Sequence, residues 1–338
     1  MMIGFIVILL LAASVAGIIM GSADIGLQEI LDVLGSRATA IEHQIIVNIR
    51  LPRILSAIVT GAALAVSGAA MQSILKNPLG SPFTLGISNA AAFGAAFAVI
   101  LLGAGSTQSG NANPVMLDNP YTVTVSAFLW SLVSTGIIFL LARYKGATPE
   151  VMILTGIILG SLFSAGMTGL QYFGDDIEIS TVVFWTFGDI GRASWRDFKI
   201  LLLVVVAAMI IFIRNRWNYN ALDAGDEVAR SLGVHVERTR LIGMVTASLA
   251  TAIAVSFFGI IAFVGLVVPH IVRRIIGGDE RFLIPASALF GGMFLLVSDT
   301  VARTLLAPVV LPVGILTSFL GAPLFLYLLI KGIGKGYW

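Results

Sequence analysis

The sequence predicts an all-α membrane protein, a polytopic bundle of about ten transmembrane helices in a single domain over residues 1–338. The prediction rests on composition and on the spacing of charges. Hydrophobic residues make up 58% of the chain and charged residues only 11%, whereas soluble domains hold about 45–50% apolar and about 25% charged residues. Too few polar side chains remain to cover a water-facing surface, which excludes a soluble globular protein.

Several functional classes are excluded by what the sequence lacks. A net charge of +2 is too small for a nucleic-acid-binding surface. The chain has no cysteine and only three widely spaced histidines, so no disulfide and no metal site is predicted. The phosphate-binding pattern GxxxxGK[ST] is also absent. We therefore predict neither a cofactor nor an enzymatic activity for this chain.

The predicted spans are stretches without Asp, Glu, Lys or Arg that approach the roughly 20 residues needed to cross about 30 Å of hydrocarbon. They lie at 1–23, 54–75, 83–103, 119–142, 151–174, 200–213, 241–272 (two spans), 282–298 and 304–330. A cleaved signal peptide is the alternative for the first stretch. The absence of basic residues before its apolar run favours a retained span.

The stretch 241–272 sets the topology because its 32 residues would make a single helix about 48 Å long. Arg240 precedes it and Arg273 follows it. Basic residues prefer the cytoplasmic side, so both ends are predicted on that side. An even number of passes is then required, and we predict a hairpin that bends near Phe258 and Gly259.

Ten spans place both termini in the cytoplasm, and 13 of the 20 Lys and Arg residues then fall on the inner side. The longest outer loops are predicted at 21–50 and 104–121. On the inner side, the loop at about 214–240 is predicted to contain a short polar helix, 226–232, that Gly233 ends. Such a helix is a candidate docking surface for a partner.

Within the spans, small residues predict close helix packing and the scarcity of charge argues against ion coupling. Ala57, Gly61, Ala65 and Gly68 share one face of the second span. Ion-coupled carriers place Asp, Glu or His at mid-membrane, and no such residue stands out here. An ion-coupled secondary transporter remains the alternative to a passage driven by a separate partner.

Four segments, in order, resemble the FecCD-type permeases, which are the membrane subunits of ABC importers for ferric siderophores, haem and cobalamin. They read RLPRILSAIVTGAALAVSGAAMQSILKNPLGSPFTLGIS at 50–88, GDEVARSLGV at 225–234, FFGIIAFVGLVVPHIVRRIIGGDERFLIPASALFGG at 257–292 and DTVARTLLAPVVLPVGILTSFLGAPLFLYLLIK at 299–331. The resemblance implies a fold like that of the cobalamin-importer permease, a type II ABC importer. It further implies a homodimer in the cell membrane, two ATPase subunits and an extracytoplasmic binding protein. Its substrate would be a metal chelate, with an oxyanion such as molybdate as the alternative.

The resemblance also assigns roles to residues at the outer side. Arg50, Arg53 and Arg303 would face outward and receive carboxylates of the binding protein. The planar guanidinium suits this role because it pairs with a carboxylate through two hydrogen bonds. The alternative is that these arginines snorkel or pair within the chain at helix ends.

At the cytoplasmic side, the resemblance implies a gate and a coupling segment. Asn77, Pro78 and Leu79 would form the gate, and a turn at 145–150 would add a second gate element, although its sequence departs from the cobalamin-importer pattern. The coupling residues would be Gly225, Asp226, Ala229 and Gly233, whose small members let an ATPase cleft close over the helix.

Overall fold

The structure, a computed structural model, describes residues 2–21, 26–35, 39–104 and 120–332. Most of these residues are helical, which confirms the predicted all-α class. The helices are α1 Met2–Ile19, α2 Leu27–Leu34, α3 Ala40–His43, α4 Leu51–Leu75, α5 Ile87–Ala96, α6 Pro120–Lys145, α7 Pro149–Phe173, α8 Asp176–Thr186, α9 Trp195–Asp223, α10 Asp226–Ser231, α11 Val236–Phe258, α12 Val264–Ile276, α13 Glu280–Thr304 and α14 Val313–Gly332. Two π-helical segments, Gln44–Arg50 and Phe97–Leu101, precede α4 and extend α5.

Each of the ten predicted spans overlaps one of these helices, but three boundaries were wrong. Helix α9 runs on to Asp223 and α11 begins at Val236, so the predicted cytoplasmic loop 214–240 is shorter and is helical at both ends. The predicted outer loop 21–50 is helical from residue 40, and the π-helical segment continues it into α4. The Nε1 of Trp195 donates to the backbone oxygen of Val47 in that segment at 2.9 Å. The last span begins at Val313 rather than at 304, because α13 runs on to Thr304. The loop predicted at 104–121 lies almost wholly outside the described residues.

By length and apolar composition, five of the described helical segments are long enough to cross a membrane: Ala40–Leu75, Tyr121–Lys145, Pro149–Phe173, Val236–Phe258 and Glu280–Thr304. Three shorter apolar helices accompany them, Ile3–Ile19, Ile87–Leu101 and Val313–Tyr327. In the apolar 18-residue window of the first of these segments, which contains α4, 83% is buried inside the protein. This segment therefore lies at the centre of the bundle, with the other helices around it.

The small-residue face of α4 brings its backbone against two neighbouring helices. A Cβ placed on Gly68 would lie 1.7 Å from the backbone oxygen of Gly265 in α12. A Cβ on Gly61 would lie 2.2 Å from that of Gly291 in α13. Side chains cannot fit at either crossing, so the predicted close packing is confirmed and its partners are identified.

The two ends of α4 define the two ends of the bundle, named here the Arg50 end and the Leu75 end. Arg240, near the start of α11, donates to the backbone oxygen of Ile74 at 3.1 Å, and Arg273, near the end of α12, donates to Gln72 at 2.8 Å. Both flanks of the 241–272 stretch therefore lie at the Leu75 end, as the charges predict.

The return pass of this hairpin is shorter than the outgoing one. After α11, residues 259–263 are not helical, and α12 has 13 residues, about 20 Å of helix. The irregular backbone is covered by protein: the backbone N–H of Asp189 donates to the oxygen of Phe258 at 2.8 Å. Beside it, the N–H of Gly314, at the start of α14, donates to the oxygen of Gly188 at 3.2 Å. Such cover is required because unpaired backbone groups are not tolerated in lipid.

Replacing Gly68 with Ala should lower the midpoint of thermal unfolding in detergent by several degrees, because overpacking at a close crossing costs about 1–3 kcal/mol. Gly136 in α6 is the matched control, since a Cβ there meets no atom within 4 Å. Gly136→Ala should leave the midpoint unchanged or raise it slightly, as alanine favours a helix. Equal midpoints for both variants would show that the α4–α12 contact does not limit stability.

Candidate functional site: the coupling helix and the gate loop

Helix α10 has the boundaries that the sequence predicts for the coupling segment. Gly225 precedes it with φ +120°, and Gly233 follows its last turn with φ +82°. The N–H of Gly233 donates to the oxygen of Arg230 at 3.0 Å, and that of Val234 to the oxygen of Ala229 at 2.9 Å. These bonds satisfy carbonyls at the helix end, which is why a residue free to adopt positive φ stands there.

The exposed face of α10 is not the one that the small residues suggest. Ala229 is fully buried against the core of the bundle, so it anchors the helix rather than facing a partner. Val228 and Leu232, four residues apart, project instead, with 45% and 68% of their surface exposed. Sequence reasoning missed this pair, although an apolar i, i+4 spacing in a polar loop is a readable signal.

Asp226 at the start of α10 connects the helix to the rest of the bundle. Its carboxylate lies 2.5 Å from the Nζ of Lys76 and 2.7 Å from a guanidinium nitrogen of Arg240. Burial alone would raise the pKa of Asp226, but the hydrogen bonds from Lys76 and Arg240 outweigh it and hold the pKa below its ordinary 3.8. The ion pairs therefore stabilise the protein fully above about pH 4, and that contribution is lost only in stronger acid.

The predicted gate residues form a compact turn directly after Lys76. Lys76 ends α4 in the left-handed conformation, with φ +46°. The Oδ1 of Asn77 then accepts the backbone N–H of Leu79 at 2.9 Å, and Pro78 stands between them. The side chain of Leu79 is exposed. The structure thus places Asn77 next to a lysine held by Asp226, so that the predicted gate and coupling segments meet.

The second predicted gate element, the turn at 145–150, joins the same cluster. Arg240 donates to the backbone oxygen of Ala147 at 3.3 Å, in addition to its bonds with Ile74 and Asp226. Gly233, at the far end of α10, takes no part in these contacts, and a Cβ there would meet no atom within 4 Å.

A second polar cluster lies beside the first at the Leu75 end. The hydroxyl of Ser73 lies 3.2 Å from a carboxylate oxygen of Asp223 and 3.0 Å from one of Glu280. Glu280 is fully buried and pairs with Arg273 at 3.3 Å. The side chain of Asn220 accepts its backbone N–H. This cluster fastens the ends of α4, α9, α12 and α13 together, and it was not predicted from the sequence.

A groove of about 670 Å³ runs along α7, the start of α5 and the residues just before α5. Hydroxyl groups, an amide and glycines line much of it, and no Lys, Arg, Asp or Glu is among the lining residues. Its polar members include Thr84, Asn89, Ser161, Ser164 and Thr168. Only 28% of an 18-residue window of α7 is buried inside the protein, and Ser161, Ser164 and Thr168 are exposed, so this face is open.

At the opposite end, Arg53 and Arg303 contact the fully buried carboxylate of Asp299. Arg53 donates to both of its oxygens, at 2.8 and 2.9 Å, and the Nε of Arg303 lies 3.3 Å from one of them. Asp189 lies 3.9 Å from Arg53 on the exposed side. Two-point contacts of this kind are the strong form of the arginine–carboxylate pair.

Arg50 and Arg303 also bind the last carbonyls of α1. Arg50 donates to the backbone oxygens of Ile18 and Ile19, and Arg303 to that of Gly17 at 3.1 Å. Helix C-termini attract cations because their carbonyls lack partners within the helix. The contacts correspond to the alternative of pairing within the chain, and a docking role for these three arginines stays a prediction.

The sequence matches the profile of the FecCD transport family over residues 8–331. The chain belongs to the FecCD transport family. This family consists of transport subunits that work with a separate ATPase, so the protein is a multi-pass membrane permease and not itself an enzyme.

Among relatives of this FecCD-family chain, a protein of Methanocaldococcus jannaschii provisionally named an ABC transporter permease is 53% identical, over 96% of this chain and 93% of the relative. A hemin transport system permease of Yersinia pestis is 37% identical, over 98% and 96%. A vitamin B12 import system permease of Vibrio vulnificus is 38% identical, over 88% and 86%.

The fold of the FecCD-family chain also matches a solved structure. An inward-facing structure, provisionally described as a metal-chelate type ABC transporter, superimposes with a TM-score of 0.85 at 29% identity. The match covers 98% of this chain and 99% of the other. The fold predicted from the four segments is therefore confirmed.

Replacing Asp299 with Asn should destabilise the protein by about 3–5 kcal/mol, because the guanidiniums of Arg53 and Arg303 would lose their buried counter-charge. Asp176→Asn is the control, since that carboxylate is exposed at the start of α8. Thermal unfolding in detergent measures both. An Asp299→Asn midpoint equal to that of the control would show that the arginines find other partners.

Proposed function

We propose that this chain forms the membrane passage of an ATP-driven importer for a metal chelate such as a ferric siderophore, haem or cobalamin. The relatives named for hemin and vitamin B12 transport support the substrate class. The observation that carries the mechanism is the contact of Asp226 with Lys76, which joins the docking helix to the gate loop. A partner that moves α10 would therefore act on the gate.

The partner at α10 is an ATPase subunit, and the exposed pair Val228 and Leu232 is its main contact. Apolar side chains that project from a short, well-anchored helix suit insertion into a cleft of another protein. Ala229 supports this role from the other side, because its burial fixes the helix on the bundle. One ATPase subunit would bind each permease subunit.

A second copy of the chain completes the passage along α7. Hydroxyl groups such as Ser161, Ser164 and Thr168 line the open groove there, and polar groups are costly to expose to lipid. A homodimer that closes the groove would place them around an aqueous path. The groove lacks a cationic side chain, which favours a bulky chelate over the oxyanion alternative.

The Leu75 end faces the cytoplasm, and both termini lie on that side of the cell membrane. The bias of basic residues supports this orientation. So does the course of the terminal helices, since α1 ends at the Arg50 end, where Gly17 meets Arg303. Likewise α14 begins beside Gly188 and continues past His270, with Phe325 6.2 Å from that ring.

An extracytoplasmic binding protein docks at the Arg50 end. The predicted docking residues Arg50, Arg53 and Arg303 supply positive charge at or beneath this surface, although Arg50 and Arg303 are buried and the side chain of Arg53 is only 13% exposed. The exposed Arg196 and Lys199 at the start of α9 would make the outermost contacts with its carboxylates. Rim charges of this kind mainly speed and orient association.

The test is uptake by proteoliposomes that contain the permease with its ATPase and binding protein. Radiolabelled hemin, cyanocobalamin, ferric citrate and molybdate are offered separately, with ATP inside the vesicles. Accumulation of one chelate that requires ATP supports the proposal. Accumulation of solute by the permease alone, driven by a proton or sodium gradient, would refute it, and uptake of molybdate only would select the oxyanion alternative.

Leu232→Asp should abolish binding of the ATPase, because a charge would enter an apolar contact, and ATP-dependent uptake should fall at least tenfold. Glu227→Ala is the control, since this exposed residue is on the same helix but is already polar. Co-purification of the two subunits measures binding directly. If the Leu232→Asp variant binds the ATPase fully, the docking surface does not lie on α10.

Ser164→Phe should reduce chelate uptake at least tenfold by filling the groove, while the ATPase still co-purifies. Leu162→Phe is the control, because Leu162 is exposed on α7 but does not line the groove. Initial uptake rates compare the two. If both variants transport equally, the passage lies elsewhere.

A further inference from the structure

We propose that Arg240 is the positioning residue that transmits displacement of the coupling helix α10 to both gate loops. The inference rests on the proposed function and adds to it one guanidinium that contacts α10, the end of α4 and the turn at 145–150. This guanidinium hydrogen-bonds to Asp226 of α10, to the turn at 145–150 and to the last turn of α4, which leads into the gate loop.

Each nitrogen of the Arg240 guanidinium donates a hydrogen bond to a different element of the protein. Its Nε donates to the backbone oxygen of Ile74 at 3.1 Å, in the last turn of α4 before the gate loop. Its Nη1 donates to the oxygen of Ala147 at 3.3 Å, in the turn between α6 and α7. Its Nη2 donates to Asp226 of α10 at 2.7 Å.

Burial makes this connection stiff. Arg240 is only 2% exposed, so its charge cannot turn to water if a partner withdraws. Asp226 is partly exposed, but leaving the buried charge of Arg240 without its partner would still be costly. When α10 moves, the guanidinium should therefore follow Asp226, and the carbonyls of Ile74 and Ala147 should move with it.

Asp226 contacts the gate loop a second time through Lys76, the residue before Asn77. Lys76 has φ +46°, a backbone conformation that residues with a Cβ rarely adopt. The ion pair of its side chain with Asp226 helps to hold the residue in this conformation. One carboxylate thus acts on the first gate loop from both sides, directly through Lys76 and through Arg240 by way of Ile74.

Lysine could not replace this arginine. An ammonium group is a point charge with no fixed fork, whereas the guanidinium presents donors in a rigid plane to several acceptors at once. Arg240→Lys should keep the pair with Asp226 and lose the simultaneous bonds to the two carbonyls. This variant separates the charge of Arg240 from its geometry.

The experiment follows the gate directly with spin labels. The chain has no native cysteine, so Leu79→Cys, at an exposed gate position, can carry a single nitroxide in each copy. Distances between the two labels are measured by double electron–electron resonance in the full complex with its ATPase, before and after trapping with ATP and vanadate. The variants Arg240→Met, Arg240→Lys and Asp226→Asn are each added to this background.

The matched control is Arg238→Met, because Arg238 is an exposed arginine on the same helix, two residues earlier. In the parent and in this control, trapping should shift the distance distribution. In Arg240→Met the shift should be lost, in Arg240→Lys it should be reduced by at least half, and the chelate transported per ATP hydrolysed should fall at least tenfold in Arg240→Met.

Each remaining outcome has a definite meaning. A full shift in Arg240→Met with a normal transport ratio overturns the inference and leaves the proposed function intact. No shift in the parent overturns the proposed function and the inference together. If Arg240→Met and Asp226→Asn both fail to assemble with the ATPase, these contacts hold the fold rather than transmit movement, and the inference is overturned.

Discussion

The structure depends on the direct backbone contact of α4 with α12 and α13 at Gly68 and Gly61. In lipid, no hydrophobic effect draws helices together, so close approach through small residues is the main source of packing. The contact makes α4 a buried central helix whose position is fixed along its length. Both candidate sites are attached to it, since Arg53 stands in its first turn and Lys76 directly follows its last.

The carboxylates at the two ends of α4 differ in how deeply they are buried and in the cations that they bind. At the Arg50 end, Arg53 and Arg303 hold one fully buried carboxylate, and Arg50 and Arg303 bind the last carbonyls of α1, which makes a permanent fastening. At the Leu75 end, the carboxylate of Asp226 is partly exposed and is shared by two cations from different elements. A connection at the protein surface can be displaced by a partner, whereas a fully enclosed one resists displacement.

Composition and charge spacing were sufficient to predict the helical class, the positions of the spans and the shared side of Arg240 and Arg273, because lipid imposes those constraints on every residue of a span. The short helix ended by Gly233 was also predictable from local preference. Contacts between distant segments were not. Nothing in the order of residues links Ser73 to Glu280, or Arg240 to Ala147, since these pairs form only when the bundle is packed. The prediction that Ala229 faces a partner was wrong for the same reason, because a small residue fits a buried face of a helix as well as an exposed one.

The irregular segment 259–263 has a consequence for biosynthesis. Part of its cover comes from the start of α14, where Gly314 packs against the backbone oxygens of Phe187 and Ile260, and α14 leaves the ribosome after the segment that it covers. Until then, the peptide groups of this segment lack part of their protein cover. The nascent chain should therefore remain beside the insertion machinery, or recruit a membrane chaperone, until α14 has been inserted. A premature stop codon before residue 313 should yield a product that quality-control proteases degrade.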